Sequence, residues 1–290
     1  MTWFASPDDA AARLGGAGYL ADDATATSAY LAGQLGKPLL VEGPAGVGKT
    51  ELAKAVARAH GAELVRLQCY EGLDEARALY EWNYKKQLLR IQAGSDDESW
   101  AATQDDIFSE EFLLTRPLLT AIRRDGPTVL LIDEVDKTDV EVEGLLLEVL
   151  SDFQVTVPEL GTITATRRPY VVLTSNASRD LSEAVRRRCL FLHLDHPTPE
   201  REREIVVSHV PDAEDALVRR VVDVVGRLRS AELRKAPSIA ETVDWVRTLV
   251  ALQAGSLGDD AAAAAMERTL GVVVKHGSDL EAAAKELARA

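Results

Sequence analysis

The stretch Gly43-Pro44-Ala45-Gly46-Val47-Gly48-Lys49-Thr50 puts Gly43, Gly48, Lys49 and Thr50 at the fixed positions of the pattern GxxxxGK[ST]. Chemistry sets that spacing. Glycines let the backbone curl so that successive N–H groups converge on phosphate oxygens, and the following helix adds unpaired amino-terminal donors and the positive end of its dipole. In such a loop Lys49 neutralises the outer phosphates of ATP, and the Thr50 hydroxyl joins the oxygen shell of a Mg²⁺ ion. Pro44, Ala45, Gly46, Val47 and Glu51 complete the expected nucleotide contacts. Further along, the apolar run Val129-Leu130-Leu131-Ile132 ends in Asp133-Glu134. Asp133 is expected on the same Mg²⁺ through its water shell, and Glu134 as the general base that polarises an attacking water. Alone, an apolar run ending in acids often marks only the edge of solvent; downstream of a phosphate loop it reads as the second half of a hydrolytic site.

Two more groups could do chemistry. Asn176 ends the run Tyr170-Val171-Val172-Leu173-Thr174-Ser175, where its amide either orients water against the terminal phosphate or caps the next turn; the upstream loop favours the first. Arg186-Arg187-Arg188 is either a helix end whose charge suits the dipole or the source of a guanidinium delivered to a neighbouring subunit's triphosphate. His193 and His196 lack a convergent third ligand for a metal.

These residues need elements to hold them. Leu39–Glu42 reads as a strand entering the glycine loop, with a helix after it stopped by His60-Gly61. Leu64–Cys69 alternates like a strand, and residues 128–133 and 170–175 have the branched apolar composition of buried parallel strands, which present ligands at their carboxyl ends. Leu190–Leu194 is a last strand. Val140–Leu150 has helical periodicity. Residues 153–157 and 162–166 flank the turn 158–161, predicting an inserted β-hairpin over 153–166. Ahead of the loop, helices are expected over Pro7–Leu14 and Tyr19–Leu35; Gly18, Tyr19 and Leu20 either line an adenine pocket or pack the second helix down. The insert around 79–110 begins with a mixed aromatic and basic stretch, Leu79–Ile91, that suits a contact surface or a plain amphipathic helix. Residues 94–106 have loop composition. Ser109 is expected to cap a helix reaching Arg124, with Pro117 as a kink or restart.

Composition changes at His196-Pro197, and no β-rich run follows. Thr198 caps a helix with Pro199 at its first position. Val218, Val221, Val222, Val225 and Leu228 trace one face of another, Pro237-Ser238 opens a third carrying Trp245 and Leu249, and the Ala-rich tail from Asp259 to Ala290 is helical by propensity. This predicts a nucleotide-binding domain over 1–196 and an all-helical domain over 197–290.

With 33 basic against 47 acidic residues, the net charge of −14 disfavours nucleic acid as a partner, although a local basic loop could exist. Cys69 and Cys189 show neither zinc nor disulfide spacing, so a reducing cytosol is the default. No apolar run approaches the roughly 20 residues of a membrane span, and the first residues lack a basic leader segment. A cytoplasmic protein with no membrane partner is expected.

In this order, the loop, Asp133-Glu134, Asn176, the arginine cluster and a helical lid resemble an AAA+ ATPase. The hairpin before the Asn176 strand and the insert between Cys69 and Asp125 are similar to the MoxR branch. The stretches 133–137, 155–162 and 174–182 look most like its CoxD-type members. The resemblance implies a three-layer αβα sandwich on a parallel sheet, with an inserted hairpin and a carboxyl-terminal helical lid. It also implies ATP and Mg²⁺ between subunits of a homo-oligomeric ring, hexameric in the family's manner, acting as a chaperone. Such proteins work with a von Willebrand factor A partner on a protein client, in CoxD-like members a molybdenum–copper carbon monoxide dehydrogenase. By motif position Arg188 matches the trans-acting finger, with Arg187 second. In place of the usual lid arginine this chain reads Pro237-Ser238-Ile239-Ala240-Glu241, leaving Arg247 as a substitute. The rival readings are a P-loop kinase of small metabolites, a nucleic-acid motor and a non-hydrolysing nucleotide switch.

Overall fold

The strand segments Thr128–Asp133 and Tyr170–Ser175 have no solvent-facing side: every residue in both is buried. Strands of this kind must be covered on both faces, which parallel crossovers with helices achieve. The computed structural model, which describes residues 2–93, 106–231, 233–256 and 259–288, has them at the centre of a five-stranded parallel sheet. Its strands are β1 (Leu39–Glu42), β2 (Glu63–Gln68), β5 (Thr128–Asp133), β8 (Tyr170–Ser175) and β9 (Leu190–His193), in the order β2-β5-β8-β1-β9. Register aligns the carboxyl ends: Gln68 lies opposite Asp133, and Glu42 opposite both Ser175 and His193. The helix Lys49–His60 packs on β2, β5 and β8, and Pro117–Arg123 on β2 and β5. The fold is the expected α/β sandwich.

Two antiparallel hairpins interrupt the parallel pattern. One pairs β6 (Gln154–Val157) with β7 (Gly161–Thr164), as the alternation around the turn predicts. It sends Val155 and Val157 into the main core, while the exposed Thr156 bonds Glu148. The other, β3 (Tyr80–Trp82) with β4 (Leu113–Thr115), is not legible in the sequence, because three-residue strands carry too few alternations to register. It corrects the reading of 79–91 as one segment: β3 comes first and the helix runs from Tyr84 to Ala93. Ser109 opens only a short 3-10 turn, and Pro117 restarts the helix at its first position. The expected loop over 94–106 lies almost wholly outside the described residues.

By contacts the chain divides into two compact units, the first comprising residues 1–17, 21–42 and 49–193, the second 18–20, 43–48 and 194–290. In the second, Thr198 accepts from the Arg201 N–H and Pro199 starts the helix to His209. The valine face of Asp215–Ser230 packs with Trp245 and Leu249 of the helix Ile239–Ala251. The tail is not one helix: 3-10 turns at 270–272 and 277–279 separate Asp259–Arg268 from Leu280–Leu287. Upstream of the loop, the helix expected from Tyr19 begins later, at Asp23 with Asp22 as its cap, so residues 18–20 precede it.

Within the first unit Glu143 ties the helix Val140–Asp152 to the segment after β8. Its buried carboxylate lies 2.6 Å from an Arg179 nitrogen and accepts from the Ser182 N–H at 2.8 Å. Burial raises its pKa, but the bonds from Ser182 and Arg179 outweigh this and hold it below the ordinary value of 4.5. A carboxyl lowered by folding contributes stability above that value and loses it as pH falls. Glu143→Gln should therefore cost about 1–3 kcal/mol at neutral pH and flatten the loss of stability between roughly pH 5 and pH 3, measured by urea unfolding across that range.

Candidate nucleotide-hydrolysing site

Glu134 leaves β5 in a left-handed backbone conformation (φ 58°, ψ 47°), which costs a non-glycine residue about 1–3 kcal/mol. The turn is held by its own N–H, which donates to Thr174 Oγ1 at 2.9 Å. That hydroxyl in turn donates to Asp133 Oδ1 at 2.6 Å. Thr50 Oγ1, in the first turn of the helix after the glycine loop, donates to the same oxygen at 2.9 Å. Arg66 Nε and Nη2 reach the other oxygen, Oδ2, at 3.0 and 2.5 Å. The Asp133 carboxylate is 3% exposed, so these donors replace its water.

The Glu134 carboxylate is engaged by three groups: Gln68 Nε2 at 2.9 Å, Lys137 Nζ at 2.7 Å and Asn176 Nδ2 at 3.5 Å. Asn176 Oδ1 accepts from Lys49 Nζ at 2.8 Å. A lysine has no acceptor, so the amide oxygen must face it and the NH₂ must face Glu134. Lys49 is buried, and burial pulls its pKa down more than Asp136, Asp133, Glu134 and Glu42 raise it. A poorly solvated ammonium among carboxylates gains from an incoming polyanion. Oxygen donors alone, the Thr50 hydroxyl and the Asp133 carboxylate, suit a hard divalent cation.

Lys49, Thr50, Asp133, Glu134 and Asn176 thus come together, although β1, β5 and β8 are far apart in sequence. Arg188 does not join them; it bonds Ser151 Oγ and, at 2.9 Å, the Ala184 carbonyl. Arg187 is exposed and pairs with Glu183 on its own helix. Glu51 faces outward to Arg58 and Lys54. Arg247 pairs at 3.3 Å with Asp244 on an exposed face.

The loop Gly43–Gly48 belongs by its contacts to the second unit, where two glycines are required by close approach. A Cβ on Gly43 would stand 1.9 Å from the Leu194 carbonyl oxygen, and one on Gly46 would stand 2.1 Å from Ser238 Cβ. Gly46 also has φ +81° and accepts a hydrogen bond from the Ile239 N–H at 3.2 Å. Pro44 and Ala45 are exposed, and Val47 is buried. Tyr19 stands beside Gly48, its ring 3.5 Å from where a Cβ would be, and Leu20 follows half-buried. Ser238 and Glu241 form a reciprocal capping box. Just ahead of it the Pro237 carbonyl accepts from Arg229, which forms a buried pair with Glu202 that Thr242 also bonds.

Residues 39–194 match the family model for the ATPase family associated with various cellular activities (AAA). The chain belongs to that family. Denitrification regulatory protein NirQ of Pseudomonas aeruginosa is 26% identical over 71% of this chain and 73% of its own length. Protein CbbQ of Hydrogenophilus thermoluteolus is 24% identical over 66% of this chain. Chaperone protein ClpB 2 of Parasynechococcus marenigrum is 36% identical over 46%. The chain spans 65% of CbbQ and 13% of ClpB 2. In structure it is similar to a point mutant of Thermotoga maritima RuvB, with a TM-score of 0.53 at 21% identity over 90% of this chain and 72% of that one; that likeness concerns the fold.

Arg66, Gln68 and Thr174 are site neighbours that sequence reading passes over in this AAA ATPase. A signal existed: Arg66 and Gln68 alternate on one face of β2, the strand whose end meets Asp133. Thr174→Val would leave the Glu134 N–H and Asp133 Oδ1 each short of a partner. It should cost about 1–3 kcal/mol, seen as a lower urea midpoint with an unchanged slope, and Thr174→Ser should recover most of it.

Proposed function

We propose that this AAA ATPase hydrolyses ATP as the subunit of a MoxR-type chaperone ring. The observation that carries the reading is the convergence of one ammonium, two carboxylates and one amide at the ends of β5 and β8 and the start of the helix Lys49–His60. In this reading Lys49 and the amides of the glycine loop grip the phosphates, and Tyr19 lies along the base. Thr50 and Asp133 would hold Mg²⁺, which when bound supplies charge neutralisation on the phosphate oxygens. Glu134 takes the proton of the attacking water, and Asn176 places that water against the terminal phosphoryl group. Gln68 and Lys137 donate to Oε2 of Glu134 and Asn176 to Oε1, which leaves a lone pair on Oε1 for the attacking water.

Arg188 is proposed to complete the site of the neighbouring subunit. Its absence from the cluster in its own chain supports a role elsewhere. The exposed Arg187 is the second candidate, since its pairing with Glu183 lies on the surface. Chaperones among the relatives support remodelling of a protein client, and likeness to CoxD-type members in the quoted stretches supports metal-cofactor insertion into a molybdenum hydroxylase. A von Willebrand factor A partner belongs to the same proposal.

Glu134→Gln should keep ATP binding within about twofold and lower turnover at least about 100-fold, within the range for loss of a general base. Undiminished hydrolysis would remove Glu134 from the mechanism. Arg188→Ala and Arg187→Ala should be assayed singly and mixed with Lys49→Ala chains. The true finger variant should be inactive alone yet partly active in the mixture, because mixed rings contain interfaces at which both groups are intact.

A further inference from the structure

We propose that Arg66 is the resident counter-cation of Asp133, holding its Oδ2 oxygen until a divalent metal ion takes the charge over. The inference rests on the reading of Asp133 as the metal-side carboxylate. A guanidinium stays charged at any physiological pH and can only donate. Asp133 is buried, and Arg66 places both Nε and Nη2 on one of its oxygens. The hydroxyls of Thr50 and Thr174 on the other oxygen are neutral, whereas Arg66 brings a full positive charge into direct contact with the carboxylate. A divalent cation and a guanidinium at one carboxylate repel each other. Arg66 is also able to leave: its side chain is 48% exposed, whereas Asp133 cannot move out of the sheet.

Arg66 also touches the groups around Glu134. Arg66 Nη2 also donates to Gln68 Oε1. Because arginine cannot accept, this bond turns the Gln68 amide so that its NH₂ faces Glu134 Oε2. The Glu134 carboxylate and the Cys69 carbonyl, which can only accept, select the same orientation, so Arg66 reinforces the donor on Glu134. Arg66 is thereby a positioning residue, in contact with Asp133 and, through Gln68, with the groups around Glu134.

The test is Mn²⁺ binding, followed by electron paramagnetic resonance, to the full chain with saturating AMPPNP. Wild type is compared with Arg66→Gln, Arg66→Lys, Asp133→Asn and Arg124→Gln. Arg124 pairs with Glu63 at the opposite end of β2, so it controls for the loss of one positive charge. Arg66→Gln should bind Mn²⁺ about three- to tenfold more tightly than wild type, Arg66→Lys in between, and Arg124→Gln like wild type. Asp133→Asn should bind weakly while melting as a folded protein by circular dichroism. The Mg²⁺ concentration for half-maximal ATPase should fall in parallel in Arg66→Gln. Binding that depends on Asp133 but is unchanged or weaker in Arg66→Gln would overturn the role of Arg66 alone. A wild-type protein that takes up no Mn²⁺ with nucleotide would overturn the site reading and this role together.

Discussion

The buried carboxylate of Asp133 is the constraint on which the first unit depends. A charge taken out of water must be compensated by donors close at hand, and here each donor comes from a different element. Arg66 arrives from β2, Thr174 from β8 and Thr50 from the helix after the glycine loop. The strand order β2-β5-β8 is what lets one carboxylate receive all three. Glu134 next to it depends on the same arrangement, since its left-handed turn is held by the hydroxyl that bonds Asp133. The geometry around the two carboxylates therefore rests on one set of bonds, built on strands that their backbone ladders join.

The second unit works by other means. The glycine loop is shaped there by steric exclusion more than by charge, with a carbonyl at Gly43 and a serine Cβ at Gly46 occupying the space where side chains would sit. Arg229 and Glu202, paired and almost wholly buried, hold Pro237 at the start of the helix that begins beside Gly46. That helix start is formed by Ser238 and its capping box with Glu241. Arg247 of the same helix is turned to a surface pairing with Asp244.

Several features were legible from residue types alone. Lys49, Thr50, Asp133, Glu134 and Asn176 could be named as candidates from their motif positions, and the fold brings them together. The central strands were legible because a segment apolar at every position has no other place to go. The caps Thr198-Pro199 and Pro237-Ser238 were readable because they are local chemistry, as was the hairpin at 153–166, whose alternation spans a clear turn. The β3–β4 hairpin was not; the breaks in the alanine-rich tail did carry a signal, since Gly271, the run Val272-Val273-Val274 and Gly277-Ser278-Asp279 are poor helix formers where the 3-10 turns fall.

Residue order alone supplies the inventory and its immediate setting: which groups can bind phosphate, which segments must be buried, and where helices begin. Partnerships come only with folding. Arg66 and Asp133 are 67 positions apart, and Lys49 and Asn176 are 127 apart, so no local rule relates them; it is the parallel register of the sheet that brings their side chains within bonding distance. The same holds for the bond of Arg188 to Ser151, 37 positions away, whereas its bond to the Ala184 carbonyl, four residues back, is local. Residue chemistry is written locally, whereas proximity is set by the order in which buried strands find their neighbours.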